Sequence, residues 1–239
     1  MTIEKELMSW VGTLTGKSMF ADSTAMLLLT TDFLKGAPFA LGLLLTWIVP
    51  YEQTDQKKEN RIDALRMLIV VLLAVLSARI AQHFFYSPRP IMVEEIGIQF
   101  SSMAKSVRLD WNSFPSDHMT LYFPIALMVS FKNRGIGIAL MIWSVLGVAL
   151  PRIFFGRHYP SDVLGGMVIG SLIVGIVWSL KNKIDPTLKK ISDISENHPK
   201  ISITLAFMIC FQIATVFDGA RWILLTFKNI CIYYYDRYI

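Results

Sequence analysis

Six apolar runs recur along this 239-residue chain, at about Asp22–Tyr51, Ile62–Tyr86, Pro115–Phe131, Gly135–Leu150, Ser161–Leu180 and Ile201–Phe227. Crossing the hydrocarbon core of a bilayer takes roughly 20 mostly apolar residues as a helix. Inside lipid, the backbone polar groups must be satisfied within a helix or a closed barrel. The chain is therefore expected to be all-α, a polytopic membrane helix bundle with about six transmembrane helices. Its composition agrees, with 54% hydrophobic and only 17% charged residues and a mean hydropathy of +0.49. The third and fourth runs are short and end in polar loops, so their ends are expected in a polar pocket rather than in lipid. The first run contains Asp32, Lys35, Gly36 and Pro38 and is expected to be kinked or partly interfacial.

One membrane-embedded domain is expected over residues 1–239, with a dense polar region at 79–170 and an extra C-terminal span at 201–227. No cleavable signal peptide is expected, because the first 20 residues lack a long apolar core. Instead Ile3, Leu7, Trp10, Val11 and Leu14 recur at helical spacing. That reads as a short amphipathic helix lying in the interface, a frayed terminus being the alternative. The formal charge of +5 does not point to nucleic acid, since the basic residues sit in loops between apolar runs, where they set orientation.

Counting loops alternately puts Lys57, Lys58, Arg61, Lys132, Arg134, Lys181, Lys183, Lys189, Lys190 and Lys200 on one side. Lys5, Lys17, Arg89, Lys105, Arg108, Arg152, Arg157, Lys228 and Arg237 fall on the other. Discounting the arginines assigned to chemistry below and the two in the long loop makes the first side cytoplasmic. The polar loops and both termini then face outward, from a plasma (inner) membrane. Cys210 lies within a span and Cys231 near the chain's end, too far apart in depth to pair.

Ionisable groups kept near membrane depth are costly and mark function by default. Here they gather in two loops on one side. One runs from Gln82-His83 to Pro88-Arg89-Pro90 and resumes at Asn112-Ser113-Phe114-Pro115-Ser116-Asp117-His118. The other is Pro151-Arg152 through Gly156-Arg157-His158-Tyr159-Pro160-Ser161-Asp162. Pro-Ser-Asp occurs twice, each time just before an apolar run, so both copies read as helix N-termini. A helix N-terminus attracts anions through its free N–H groups and its dipole. Arg89, Arg152 and Arg157 nearby suit a phosphate cradle, because a guanidinium can grip two oxygens at once. Plain capping would explain either copy alone. It does not explain His118 after one copy, or His158 four residues before Asp162, where a carboxylate could hold one ring nitrogen and leave the other free to attack.

Arg89-Pro90, Pro115-Ser116-Asp117-His118 and Arg152-x5-His158-x3-Asp162 resemble, in order and spacing, the three-part signature of the type-2 phosphatidic acid phosphatase superfamily. The match covers roughly Gln82 to Gly170. Three positions depart from the usual pattern. Gln82 stands where the family commonly has lysine, Asp117 where it has glycine, and Pro151 where it has serine. Arg79, one turn before Gln82, could supply the missing charge. Ser113-Phe114-Pro115-Ser116-Asp117-His118 together with the missing lysine resembles the branch of bacterial undecaprenyl pyrophosphate phosphatases linked to bacitracin resistance. Phosphatidylglycerol phosphate, phosphatidic acid and lipid A phosphates are the alternative substrates.

The resemblance implies a lipid (pyro)phosphate substrate and a phosphohistidine on His158, oriented by Asp162. It implies that His118 protonates the leaving oxygen and then activates water. Arg89, Arg152, Ser116 and the N–H groups near Asp117 would bind the phosphoryl oxygens, with no metal and no cofactor required. Arg157 or Arg79 is a candidate for a second phosphate. A soluble vanadium-dependent haloperoxidase or acid phosphatase would share the motifs but not the spans. A transporter or scaffold would place its polar groups at mid-depth in broken helices.

Elsewhere the expectations are bland. Asp32 with Lys35, and Asp218 with Arg221, read as helix-surface ion pairs, a place on the pocket rim being the alternative. Glu94 and Glu95 read as solvated. Gly165, Gly166, Gly170 and Gly175 read as a smooth face for close helix packing.

Overall fold

The computed structural model describes residues 3–48, 54–96 and 112–217. All regular structure among them is helical. Helix α1 is Ile3–Gly12, α2 is Met19–Thr30, α3 is Asp32–Ile48 and α4 is Thr54–Phe84. Two short 3-10 turns come next, at Pro90–Met92 and Glu94–Ile96. Then come α5 (Asp117–Lys132), α6 (Arg134–Phe154), α7 (Pro160–Ser179), α8 (Lys181–Asn197) and α9 (Pro199–Ala214). The cap chemistry is local. Ser18 accepts from the N–H of Ala21 to start α2, and Asn133 accepts from that of Ile136 to start α6.

Among the described residues each expected run is helical, the first of them as two helices, but the length criterion is met by fewer than six. Lys58–Phe84, Arg134–Phe154 and Pro160–Ser179 are long and apolar enough to cross a membrane, and the bent pair α2–α3 makes a fourth when counted as one broken span. Helix α5 has only 16 residues before Asn133 caps it. The sixth run continues beyond residue 217, so its C-terminal part, with Asp218 and Arg221, lies outside the described residues, as do Lys105, Arg108 and Cys231.

The basic stretch after the fifth run, expected as a loop, is the amphipathic helix α8. Its acids pair with cations of α4: Asp185 with Arg66 at 2.6 Å, Glu196 with Arg61 at 3.2 Å, and Asp193 with Lys58 at 3.2 Å. At the N-terminus, α1 exposes Ile3, Leu7 and Trp10 and buries Met8 against Phe155 and Tyr159. That is the pattern of a helix with one face toward lipid and one toward protein.

The core centres on α5, where Tyr122, Ile125 and Ala126 are fully buried. Tyr122 stacks on Phe39 of α3, ring centroids 4.6 Å apart. Helices α5 and α7 approach closely because α7 is smooth there. A β-carbon at Gly166 would lie 2.8 Å from the Ser116 carbonyl oxygen, and one at Gly170 2.8 Å from Pro124. Gly165 faces the Phe114 ring, whereas Gly175 faces open space. We therefore expect Gly166→Ala to force the two helices apart and cost about 1–3 kcal/mol. Gly175→Ala should be neutral or stabilising by up to about 1 kcal/mol from helix propensity. Equilibrium unfolding in detergent distinguishes the two, and equal shifts would refute the account.

Candidate active site

Both polar clusters converge at the ends of α4, α5, α6 and α7. Asn112 staples the returning loop to α4. Its Nδ2 donates to the carbonyls of Gln82 and Phe85, both at 2.7 Å, and its Oδ1 accepts from the N–H of Ser87 at 3.0 Å. That staple brings Ser113, fully buried, onto His158. The His158 Nδ1 lies 2.8 Å from the Ser113 carbonyl oxygen. A carbonyl can only accept, so Nδ1 carries the proton and Nε2 keeps its lone pair.

Asp162 sits one step further back, 3.7 Å from Nδ1. Its Oδ2 accepts from the Ser113 hydroxyl and, at 2.7 Å, from the N–H of Tyr159. The i,i+4 contact expected from the sequence is thus present as an ion pair longer than a hydrogen bond, and Ser113 bridges the two side chains. The reason is that α7 starts at Pro160, so His158 precedes the helix and helical spacing does not apply to it. Burial pushes the His158 imidazole below its ordinary value, opposed by Asp162 and reinforced by Arg89 and Arg152.

Arg89 and Arg152 are both buried, at 7% and 4% exposure. Arg89 Nη1 donates to the Arg157 carbonyl at 2.8 Å, which ties the first motif to the third. Arg152 comes after a π-helical stretch, Ser144–Ala149, and its Nη1 donates to the Val148 carbonyl at 3.1 Å. Such insertions recur at functional sites because they re-aim the side chains of the next turn. The Arg152 charge acts on both His118 and His158. Arg157 is buried beside them, its backbone N–H donating to the Arg152 carbonyl at 2.7 Å.

Ser116 precedes α5 but does not cap it through its side chain. Its hydroxyl is buried with no hydrogen-bond partner, while its backbone N–H donates to the Asp162 carbonyl at 3.0 Å. The capping expected of Ser116 is absent, which leaves that hydroxyl available to a ligand. In the second Pro-Ser-Asp, Ser161 likewise does not cap, and its N–H is taken by Glu4 of α1 at 2.8 Å.

Asp117 is engaged from α4. Arg79 Nη2 lies 3.0 Å from its carboxylate, Gln82 donates to it, and Arg79 Nη1 donates to Gln82 at 2.9 Å. The two departures at positions 82 and 117 therefore form one contact with Arg79, whose charge is matched by Asp117.

The pair Asp32 and Lys35 departs from its helix-surface reading. Lys35 is fully buried, and Asp32 lies 3.6 Å from His118 Nε2. The chain bends by 59° between α2 and α3, which turns the start of α3 into the bundle. Asp32 and Lys35 thus take the place at the site that the sequence left as the alternative, and Asn112 and Ser113, read only as parts of a motif string, gain roles of their own. For Asp32 and Lys35, the sequence signal was two charges and a proline in an apolar run. Among the described residues no group of three or more His, Cys, Asp or Glu side chains could hold a metal ion.

Comparisons with known proteins point the same way. The sequence profile of the PAP2 superfamily matches residues 63–186. The chain is 31% identical over 143 residues to undecaprenyl-diphosphatase BcrC of Bacillus subtilis (strain 168), an alignment covering 59% of this chain and 65% of that protein. It is 41% identical over 68 residues to a decaprenylphosphoryl-5-phosphoribose phosphatase of Mycobacterium tuberculosis (strain ATCC 25618 / H37Rv), covering 28% and 37%. The chain thus spans less than two thirds of the length of either relative. The crystal structure of Aquifex aeolicus LpxE superposes with a TM-score of 0.51 at 22% identity, over 75% of this chain and 99% of that one, a likeness of fold.

Proposed function

The chain belongs to the PAP2 superfamily, and on that premise we propose that it is an integral membrane lipid phosphatase working through a phosphohistidine, with undecaprenyl pyrophosphate as its substrate. The observation that carries this reading is the convergence of both imidazoles on one arginine. Arg152 acts on His118 and His158, Arg89 acts on His158 as well, the Ser116 hydroxyl is buried without a partner, and the Ser113 carbonyl holds His158 Nδ1 so that Nε2 keeps its lone pair.

In the first step His158 Nε2 attacks the terminal phosphorus. An N–P bond forms as the P–O bond to the leaving group breaks, and the electron pair goes to the leaving oxygen. Protonated His118 donates its proton there. In the second step neutral His118 takes a proton from water. The water oxygen bonds to phosphorus, the N–P bond breaks, and inorganic phosphate leaves. Arg89, Arg152, Ser116 and the N–H groups at the start of α5 stabilise the charge on the phosphoryl oxygens throughout. Asp162, through Ser113 and directly, stabilises the charge that His158 acquires. Arg157 or Arg79 holds the second phosphate of a pyrophosphate. Arg79 must then exchange its contact with Asp117.

Similarity to BcrC supports the polyprenyl pyrophosphate substrate, and the loop charges support a plasma-membrane enzyme with the pocket facing outward. Residues 1–239 act as one domain in this reading. Side-by-side phosphate release from undecaprenyl pyrophosphate, phosphatidylglycerol phosphate and phosphatidic acid by purified protein tests it. Preference for the first by at least tenfold in kcat/KM is expected, and preference for either other lipid would refute the substrate.

The acid limb of the pH profile provides a second check. His158 attacks only when neutral, and its folded-state pKa is depressed, so it stays neutral below the ordinary imidazole value. The limb of kcat/KM assigned to it is expected below about pH 6.5. A limb above that value would contradict the assignment.

A further inference from the structure

Asp32 lies outside the three motifs and outside the region matched by the superfamily profile. It is the first residue of α3, just after the bend. Its Oδ1 touches two groups at once, Lys35 Nζ at 2.5 Å and His118 Nε2 at 3.6 Å. Lys35 is fully buried and also donates to the Leu29 carbonyl at 2.7 Å, in the last turn of α2. The Trp143 indole donates to the Lys35 carbonyl at 3.2 Å, which anchors the backbone behind it. The His118 ring is flanked edge-on by Tyr122, centroids 6.1 Å apart, and Tyr122 is itself stacked on Phe39 of α3.

A lysine buried this completely is costly unless it is paired. An ionic cluster in an apolar helix marks function by default. Here the pairing fixes one carboxylate in front of one imidazole. The gap to His118 Nε2 is slightly longer than a hydrogen bond, and Nε2 has no other partner. Such contacts commonly tighten when substrate closes the site.

We propose that Asp32 is the positioning residue of His118. Lys35 locks the carboxylate, the carboxylate holds one ring nitrogen of His118, and the other ring nitrogen is left for the substrate. The site then contains two acid–imidazole pairs of opposite duty, one behind the nucleophile and one behind the proton shuttle. Asp32 stays ionised throughout; only His118 gains and loses a proton. The inference rests on the proposed role of His118.

The test uses the dependence on leaving group, which general damage to the fold would not produce. A lipid phosphomonoester such as phosphatidic acid releases an alkoxide, a poor leaving group that needs its proton, whereas p-nitrophenyl phosphate releases p-nitrophenolate, which does not. Asp32→Asn is expected to lower kcat on phosphatidic acid about 10- to 100-fold, with KM changed less than about threefold. The first-turnover burst of p-nitrophenolate should keep its wild-type rate. Asp32→Glu should recover part of the loss. Because Asp32→Asn strips Lys35 of its counter-charge, Asp32→Asn/Lys35→Met is made alongside and should show the same split. In a His118→Ala background, Asp32→Asn should cost nothing further. Equal losses on both substrates, losses that multiply with His118→Ala, or full lipid activity in Asp32→Asn would each overturn the proposal while leaving the role of His118 standing. Full activity in His118→Ala would overturn that role, and this inference with it.

Discussion

His158→Ala is expected to reduce phosphate release from lipid substrate to background, a loss of about 10^4-fold or more, with the protein still folded. The size comes from the kind of group removed. Arginines and helix N-termini stabilise charge around phosphorus, and each can be lost with part of the rate surviving. No second imidazole takes over the attack in this reading, because His118 serves the leaving group, and the hydroxyl of Ser113 beside His158 is committed to Asp162. The alanine also leaves the Ser113 carbonyl without its Nδ1–H donor, so a modest fall in stability is expected too. His158→Gln retains more of the volume and serves as the control for folding.

The covalent prediction is sharper than the kinetic one. Acid-sensitive, alkali-stable label from a terminally labelled substrate should accumulate on the wild-type chain during turnover and be absent from both variants. Label on His158→Ala, or a residual rate within tenfold of wild type, would mean that phosphorus is attacked by something else.

The ease with which this site reads from sequence depends on how local each contact is. Arg89, His118, Arg152, His158 and Asp162 stand out because short polar strings interrupt long apolar ones, and the folded chain brings those strings to the same helix ends. Asp32 is less legible. Two opposite charges three residues apart on a helix are most simply a surface pair, and only the 59° turn after Thr30 directs them inward. The geometry around His158 escapes the sequence for a related reason. Spacing of four implies contact only inside a helix, and α7 begins after the histidine. Ser113 belongs to a motif string, but its role is not legible there, since its contribution comes largely from a backbone carbonyl, which every residue has. Helix α8 is hidden by its charge, because its polar face answers cations of α4 that are distant in sequence.

Arg152→Met is the second large effect expected, and it should separate binding from stability. Arg152 is buried where the charges of Arg89 and Lys35 both reach it. The largest cost to the Arg152 charge is its burial, which Asp32 and Asp117 offset in part and Arg89 adds to. The anion-free pocket therefore carries electrostatic strain that a phosphoryl group relieves, an arrangement that trades stability for function.

Removing the guanidinium should lower kcat/KM by about 10^2- to 10^3-fold, the usual scale for one charge-stabilising donor. It should leave the thermal midpoint of the ligand-free protein unchanged or higher. Orthovanadate is expected to raise the midpoint of the wild type by preferential binding to the folded state, and Arg152→Met should abolish that rise. Arg152→Lys keeps the charge but not the planar fork and should recover less than a tenth of the activity. Its Nη1 bond to the Val148 carbonyl, which aims the group after the π-helical stretch, would also be lost. If Arg152→Met instead destabilised the ligand-free protein by several degrees and still responded fully to vanadate, the guanidinium would be a structural strut and the anion pocket would have to be drawn around other residues.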